Sequence, residues 1–316
     1  MVSMRGAIFQ AQTMPWADVL RRRVPHSFSE SSQIMNKLFI AFAALITLVA
    51  CQTNPISGRS QLMLVSEDAA ISASKEAYVA MLKPIEEKGQ LDNNPATRAR
   101  VVAITEKLVA QAVKYRPETD QWNWSVHVID DPKTVNAWCM AGGRMAIYTG
   151  LIQQLNATDD EIAQVMGHEI GHALLSHTAE KMSRAMAMQA GVGVLAATQT
   201  SSQYGQLAVQ GATLAAVVAV ELPNSRLAEA EADRIGIELA AKAGYNPNAA
   251  VSLWDKMGKV SGGSSGFSFM STHPAPEKRM EGLSKLVPDM MPYYQDKSPR
   301  PVFRLRESTL GAGAAK

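Results

Sequence analysis

The 316-residue sequence predicts an α+β fold that is mainly α-helical and carries a small antiparallel β-sheet of about three strands. Apolar residues recur at helical spacing along much of the chain, as they do over residues 98–113. The spacing changes to strict alternation over residues 124–130, and a diglycine turn follows within residues 136–149. The composition, with 47% hydrophobic and 19% charged residues, excludes a disordered chain.

Charge and cysteine content exclude two further classes of protein. Basic and acidic residues nearly balance, at 31 and 29, and neither sign forms a long run. Nucleic-acid binding requires a concentrated basic face that neutralises phosphates, so no nucleic-acid partner is expected. The only cysteines are Cys51 and Cys139, which excludes a disulfide framework.

The N-terminal part of the chain predicts export followed by lipid attachment. Lys37 precedes an uncharged stretch over residues 38–49 that is too short for an ordinary membrane-spanning helix. Residues 48–51, Leu-Val-Ala-Cys, resemble the lipobox of bacterial lipoprotein signal peptides, in which the cysteine receives the lipid. We therefore expect residues 35–50 to be a signal peptide and Cys51 to be the lipidated residue.

The residues on either side of this signal carry expectations of their own. Residues 1–34 are expected to be either a leader extension or the result of a start codon assigned too early. Gln52, in the position where an aspartate would favour the inner membrane, predicts an outer-membrane lipoprotein at the periplasmic face of the bacterial envelope. Residues 51–66 contain turn signals and are expected to form a lipid-anchored tether.

Helices dominate the rest of the chain, where one domain is expected over residues 67–288. Ser66 caps its first helix, Pro84 stops that helix, and the capping box of Thr158 and Glu161 begins the central helix. Helices are expected over residues 66–82, 98–113, 158–177, 229–243 and 249–260. Residues 289–316 are expected to form a polar, disordered tail.

The stretch from Ala185 to Val220 contains no charged residue. Polar residues over 198–203 divide it into two apolar pieces, each shorter than a membrane span. Two packed helices and a contact with the membrane surface both fit this pattern.

The central helix carries an H-E-x-x-H motif, His168-Glu169-Ile-Gly-His172. Residues four apart lie on one helix face, about 6 Å apart along the axis, so both imidazoles can bind one metal ion. Glu169 is rotated about 100° from His168 and can face an attacking water without coordinating the metal.

A zinc hydrolase needs a third protein ligand, and a helix further along the chain offers one. Glu229 and Asp233 are four residues apart and share a helix face. This pair fits a carboxylate ligand followed by an acid that accepts a hydrogen bond from a ligand imidazole. Glu231 points elsewhere on the helix and is interpreted as solvated or salt-bridged.

Three motifs in this order resemble the zinc endopeptidase family of the CAAX prenyl protease, HtpX and the BepA-like periplasmic lipoproteins. They are H-E-I-G-H at 168–172, E-A-E-A-D-R-I-G at 229–236, and Thr272-His273-Pro274 followed by Arg279. Two further segments, Asn136–Gly143 and Asn54–Arg59, also resemble that family. The multi-span membrane region of the first two members and the tetratricopeptide repeats of BepA are not expected here.

The resemblance implies a zincin-like metallopeptidase domain of the gluzincin type. One Zn²⁺ ion per chain would be held by His168, His172 and Glu229, with Glu169 as the general base. The resemblance also makes His273 and Arg279 candidates to stabilise the oxyanion. A mobile His273 could alternatively act as a fourth zinc ligand that closes the site.

The predicted function is therefore zinc-dependent endoproteolysis of unfolded or misassembled cell-envelope proteins. Polypeptide substrates are expected to add as a strand to an edge strand formed by Asn136, Ala137, Trp138, Cys139 and Met140. Two alternatives remain open at this point. One is a client-binding chaperone or assembly factor with little turnover, and the other is an exopeptidase.

Four other candidates are expected to carry no chemistry. Residues 262–266 match the G-x-S-x-G nucleophile motif but lie in a Gly/Ser-rich loop instead of between a strand and a helix. Cys139 is expected to pack in the sheet, and His127 to be an ordinary sheet histidine. His177 is expected to point away from the ligands and to stabilise the C-terminus of the central helix.

Overall fold

Helices form most of the chain over the residues that the computed structural model describes, namely 51–198, 222–261, 269, 273, 276–306 and 310. The helices in these ranges are α1 (Glu67–Glu87), α2 (Pro95–Tyr115), α3 (Thr149–Gln154), α4 (Asp159–Leu174), α5 (His177–Thr198), α6 (Leu222–Lys242), α7 (Asn248–Ser261) and α8 (Pro276–Gln295), with a 3₁₀ turn at Pro117–Gln121. The strands are β1 (Cys51–Thr53), β2 (Ser60–Leu62), β3 (Ser125–Ile129), β4 (Ala137–Met140) and β5 (Arg144–Tyr148). The predicted fold class, mainly helical α+β, is confirmed.

Several expected features lie outside the described residues. These are the leader, the signal peptide, most of the uncharged stretch over 185–220 and the G-x-S-x-G match. Thr272 and Pro274, which flank the described residue His273, also lie outside. Over the part of the chain that is described, no helix has the length and apolar character needed to cross a membrane.

Side-chain caps begin the helices where the sequence predicts them. The Ser66 hydroxyl accepts a hydrogen bond from the Ala69 amide at 3.2 Å at the start of α1. At α4, the Thr158 amide donates to Glu161 Oε2 at 2.9 Å and the Glu161 amide donates to Thr158 Oγ1 at 3.2 Å. This reciprocal pair satisfies two backbone donors that no helical carbonyl can reach, and the predicted capping box is confirmed.

Helix α1 continues three residues beyond Pro84, so the prediction that this proline stops the helix is wrong. A proline in the last turn removes only one helical hydrogen bond. Leu82 is fully buried, and Ile85 packs on the cluster that Leu82 forms with Tyr78. Burial of these side chains offsets the lost bond, and the helix ends only before Gly89, which adopts φ +67°.

The larger sheet has three strands in the order β3-β5-β4. The predicted hairpin forms between β4 and β5, and its turn contains Gly142 and Gly143 at φ +83° and +81°. The expectation of a wholly antiparallel sheet is wrong, because β3 pairs with β5 in parallel. Strand β5 lies between β3 and β4 and runs parallel to β3 and antiparallel to β4. This order leaves β4 at one edge of the sheet.

The segment expected to be a tether, residues 51–66, is instead partly built into the domain. Strands β1 and β2 pair antiparallel around a turn at Asn54. The side-chain oxygen of Asn54 accepts hydrogen bonds from the backbone amides of Ile56 and Ser57. The side-chain Nδ2 of Asn54 donates to the Leu175 carbonyl at 3.0 Å. We call residues 51–62 the N-terminal hairpin.

The expected disordered tail is also wrong over residues 289–306. Helix α8 continues to Gln295, and residues 296–306 follow without regular secondary structure and contact the domain. The Phe303 amide donates to the Glu106 carbonyl at 3.1 Å, and the Arg306 amide donates to the Trp124 carbonyl at 2.8 Å. Phe303 and Leu305 pack against the core, and this burial compensates the ordering of an otherwise polar segment.

Helices α4 and α6 touch backbone to backbone through small residues. A Cβ atom added to Gly236 would lie 2.7 Å from the backbone N and Cα of His168, and one added to Gly167 would lie 2.8 Å from the Gly236 carbonyl oxygen. A Cβ on Gly171 would meet the Ala232 carbonyl oxygen at 3.0 Å. The close approach brings the predicted ligand-bearing turn of α6 onto the H-E-x-x-H face of α4.

We predict that Gly236→Ala destabilises the protein, because the added methyl group meets backbone atoms that cannot rotate away. Overpacking of this kind costs about 1–3 kcal/mol, which urea unfolding of the metal-free protein would measure. Gly282→Ala is the matched control, because its Cβ meets nothing within 4 Å on α8 and should stabilise the helix by roughly 0.5–1 kcal/mol. Equal stability of the two variants would contradict the backbone contact.

Candidate metal centre

Four side chains from three parts of the chain bring metal-binding atoms together at the α4–α6 contact. His168 and His172 come from α4, Glu229 comes from α6, and His273 lies in the segment before α8. One ligand atom from each lies within 4.8 Å of all the others. This group contains every metal ligand that the sequence predicts, with His273 in addition.

The distances within this group fit one tetrahedral metal ion. His168 Nε2 and His172 Nε2 are 3.0 Å apart, and the Glu229 carboxylate oxygens lie 3.4 and 3.5 Å from them. Nitrogens bound tetrahedrally at 2.0–2.1 Å from one zinc ion would be about 3.3–3.4 Å apart. Two imidazoles and one carboxylate are also a donor set typical of zinc hydrolases, so the residues present fit Zn²⁺.

His273 reaches the group from a distant part of the sequence. Its Nδ1 lies 2.9 Å from Glu229 Oε2 and 3.3 Å from His168 Nε2. The ring stacks on Phe269 with centroids 4.4 Å apart, and the His273 amide donates to the Phe269 carbonyl at 2.8 Å. In this position His273 can serve either as a fourth metal ligand or as a hydrogen-bond donor to an oxyanion. Closure of the site by His273 therefore stays a prediction.

Glu169 is buried beside the ligands and is not one of them. Its Oε1 accepts no hydrogen bond from the described residues, and His273 Nε2 lies 3.4 Å away. Burial raises the pKa of the Glu169 carboxyl group above its usual value. A carboxylate with a raised pKa and an oxygen that accepts no hydrogen bond is well placed to take up a proton.

Asp233 and Arg279 support His168 from behind. Asp233 Oδ1 lies 3.1 Å from His168 Nδ1, and the Arg279 guanidinium donates to both Asp233 oxygens at 2.8 and 2.5 Å. Arg279 also approaches Glu229 Oε2 at 2.9 Å and lies 4.0 Å above the Trp254 ring. Arg279 thus contacts the ligands His168 and Glu229 as well as Asp233, and its expected contact with an oxyanion stays a prediction.

His177 contacts a ligand, contrary to the expectation that it points away. His172 Nδ1 and His177 Nδ1 are 2.8 Å apart. Helix α4 ends at Leu174, and Ser176 at φ +55° turns the chain, so that His177 begins α5. Helical geometry therefore does not relate His177 to His172, which is why helix spacing misplaced it. A histidine five residues after the motif was the only signal available.

Glu231 is salt-bridged, which agrees with one of its two predicted interpretations. Its Oε2 lies 3.0 Å from His177 Nε2, and both of its oxygens accept from Arg59 at 3.0 Å. Burial raises the pKa of Glu231, but hydrogen bonds from His177 and Arg59 outweigh it and hold the pKa at about 2. Glu231 is therefore an anion at neutral pH.

The charge states of the ligands suit metal binding with one proton to be displaced. Burial raises the pKa of Glu229, but hydrogen bonds from His168, His172 and His273 lower it well below its usual range. Burial holds the pKa of His172 well below its usual value, so this imidazole is neutral. Burial and Arg279 lower the pKa of His168, but Asp233 and Glu229 raise it to about 9. A metal ion must therefore displace a proton from His168 at neutral pH.

The predicted substrate strand lies at an edge of the sheet, next to the metal-binding helix. Strand β4 covers Ala137, Trp138, Cys139 and Met140, and Asn136 precedes it, with its carbonyl accepting from the Tyr148 amide at 3.0 Å. Ala137 and Cys139 are buried, whereas Trp138 and Met140 are half-buried. Burial raises the pKa of the Cys139 thiol well above its usual value, as expected for a packing residue.

Two residues from the sequence analysis lie away from this centre. His127 is buried in β3, and its Nδ1 lies 2.5 Å from Asp92 Oδ2. Cys51 is an exposed free cysteine at the start of β1.

Comparison with known proteins agrees with this site. The sequence model of peptidase family M48 matches residues 95–287 of this chain. The chain is 29% identical over 252 residues to the mitochondrial metalloendopeptidase OMA1 of Saccharomyces cerevisiae, and the match covers 76% of this chain and 70% of the yeast protein. It is 30% identical over 275 residues to the mitochondrial metalloendopeptidase OMA1 of Homo sapiens, covering 80% of this chain and 51% of the human protein.

A bacterial relative matches over nearly its whole length. The chain is 28% identical over 250 residues to the metalloprotease YcaL of Escherichia coli, covering 74% of this chain and 93% of that protein. The family match contains His168, His172, Glu229 and Asp233, which the fold brings together at one metal centre. The predicted enzyme class, a zinc metalloendopeptidase, is thereby confirmed, and the chain belongs to peptidase family M48.

Proposed function

We propose that this protein cleaves unfolded or misassembled proteins of the bacterial cell envelope, as a single-zinc endopeptidase of the lipoprotein branch of its family. One observation carries the proposal. A buried carboxylate, Glu169, leaves an oxygen without a hydrogen bond from the described residues, directly beside three donors that fit Zn²⁺. These residues would therefore hold a metal ion directly beside a general base.

The side chains divide the hydrolysis between them. When bound, zinc polarises the scissile carbonyl and lowers the pKa of the attacking water. Glu169 takes a proton from this water and delivers it to the leaving amine, for which its raised pKa is suited. His273 Nε2, 3.4 Å from Glu169 Oε1, faces the same space and can donate a hydrogen bond to the developing oxyanion.

We predict that Glu169→Gln retains zinc and loses turnover about 10²–10⁴-fold, because the amide cannot accept the proton. Cleavage of a chemically unfolded protein and the metal content of the purified variant would measure both effects. Glu229→Ala is the comparison variant, because it should lose the metal as well as the activity. If Glu169→Gln keeps the full biological role in cells, the chaperone alternative is correct and proteolysis is not the function.

Substrate binding by strand addition to β4 would give the enzyme loose sequence specificity. Support comes from the position of β4, which is an edge strand of the three-stranded sheet and packs beside α4. Backbone hydrogen bonds from an added strand would hold an unfolded polypeptide with little regard to its side chains. Folded proteins would be excluded because they do not offer an extended backbone.

We predict that N-methylation of backbone amides next to the scissile bond lowers kcat/KM of a peptide substrate. Each lost hydrogen bond of about 0.5–1.5 kcal/mol should reduce kcat/KM roughly 2–10-fold. Exchanging leucine for isoleucine at the same substrate positions serves as the control and should change kcat/KM less. A larger response to the side-chain exchange than to methylation would exclude strand addition. Acetylated and amidated ends that prevented cleavage would favour an exopeptidase.

Membrane attachment is proposed to occur through a lipid on Cys51. The thiol of this residue is exposed at the start of β1, and residues 48–51, which end on it, resemble a lipobox. A lipid at that position would hold the domain at the periplasmic face of the outer membrane.

We predict that Cys51→Ser abolishes membrane fractionation of the protein or leaves an uncleaved precursor, because the anchor cannot be attached. Fractionation and intact-mass measurement in the native host would show this. Cys139→Ser is the matched control, because that cysteine is buried in β4 and should not affect fractionation. A mature protein whose mass includes residues 1–50 would refute lipid attachment.

A further inference from the structure

A line of polar contacts runs from the N-terminal hairpin to one metal ligand. Arg59 lies on the hairpin between the turn and β2, and its guanidinium bridges two carboxylates. It donates to Glu231 on α6 through Nε and Nη2, both at 3.0 Å. It donates to Glu180 on α5 through Nη1 and Nη2, at 2.8 and 2.7 Å. Four hydrogen bonds fix the guanidinium between the two helices.

The line continues from Glu231 through His177 to His172. Glu231 Oε2 lies 3.0 Å from His177 Nε2, and His177 Nδ1 lies 2.8 Å from His172 Nδ1. His172 presents its other nitrogen, Nε2, to the group of metal-binding atoms. Each contact involves a side chain that is buried or half-buried, so water competes little for these bonds.

Metal binding gives this line one consistent proton pattern. A metal ion on His172 Nε2 requires a neutral imidazole with its proton on Nδ1. That proton is donated to His177 Nδ1, which leaves the His177 proton on Nε2, where it is donated to Glu231. The Glu231 carboxylate accepts from His177 and from Arg59, so every hydrogen in the line has one acceptor.

We infer that Arg59 of the N-terminal hairpin is a positioning residue of the metal centre, which fixes the orientation and tautomer of His172 through Glu231 and His177. The inference rests on the proposed zinc centre. The N-terminal hairpin, residues 51–62, would then help to shape the active site in addition to connecting the domain to the proposed lipid on Cys51. His177 and Glu231 would likewise have a role outside the three ligands and the base.

The other ligand imidazole has a comparable support of different origin. His168 Nδ1 contacts Asp233, and Asp233 is held by the fork of Arg279 from α8. His168 therefore depends on a residue near the C-terminal end of the domain, whereas His172 depends on one near its start. A ligand imidazole whose outer nitrogen is held by such partners typically binds its metal 10–100-fold more tightly than without them.

The hairpin also offers a control that separates docking from positioning. Gln61 Nε2 donates to Glu180 Oε2 and to the Leu175 carbonyl, both at 2.9 Å, and its Oε1 accepts from Asn54. These contacts hold the hairpin on the domain without including Glu231 or His177. Gln61→Ala should therefore weaken docking and leave the line to His172 intact.

The experiment compares Arg59→Ala, Glu231→Gln and Gln61→Ala with the full-length wild-type protein. Zinc affinity is measured by competition with a chelator, the ligand field by the visible spectrum of the Co²⁺-loaded protein, and folding by thermal unfolding of the metal-free form. We expect Arg59→Ala and Glu231→Gln to lower zinc affinity about 10–100-fold and to alter the Co²⁺ spectrum. Gln61→Ala should lower the unfolding temperature without changing affinity or spectrum.

Glu231→Gln keeps the inference testable if Arg59→Ala does not fold, because the amide preserves the size of the side chain. Arg59→Lys tests geometry, since an ammonium cannot span two carboxylates as a planar fork does, and it should restore affinity only in part. A folded Glu231→Gln variant with wild-type affinity and spectrum overturns the inference and leaves the proposed function standing. A wild-type protein that binds no zinc overturns both.

Discussion

The contact between α4 and α6 is the constraint on which the active site depends. Glycine at 167, 171 and 236 lets the two backbones meet, with Ala232 completing the interface. At this separation Glu229 reaches the space between His168 and His172, and Asp233 reaches the outer nitrogen of His168. A side chain at Gly236 or Gly167 would meet backbone atoms of the facing helix within 3 Å, so the two helices would have to separate and carry the carboxylates away from the imidazoles.

Buried charge explains why both ends of the domain are required around this contact. Glu180, Glu229 and Asp233 are buried, and a buried carboxylate without a partner is strongly destabilising. Arg59 from the N-terminal hairpin and Arg184 from α5 pair with Glu180, and Arg279 from α8 pairs with Glu229 and Asp233. Both terminal parts of the domain thus contribute positive charge to buried carboxylates. A metal ion would add further positive charge where three imidazoles and a carboxylate converge.

Local signals in the sequence predicted the elements and the chemistry well. The capping box at Thr158 placed α4, the alternation before Asp130 placed β3, and the diglycine placed the β4–β5 turn. The i,i+4 pairs His168/His172 and Glu229/Asp233 predicted which residues share a helix face, because helix geometry relates residues four apart without knowledge of the rest. The same reasoning failed for His177, because a residue at positive φ turns the chain between it and the motif.

The sequence by itself therefore determined the fold class and the enzyme class, and it predicted the metal ligands and the base. These rest on helix spacing, side-chain chemistry and the order of three motifs along the chain. The tertiary structure decided that β3 pairs in parallel, that residues 51–62 and 296–306 pack on the domain, and that His273 enters the ligand group. It also decided that Arg59, Glu231 and His177 connect to His172. These features join residues tens to more than a hundred positions apart, or lie across a turn, and only the burial of apolar surface and the pairing of buried charges bring such residues together.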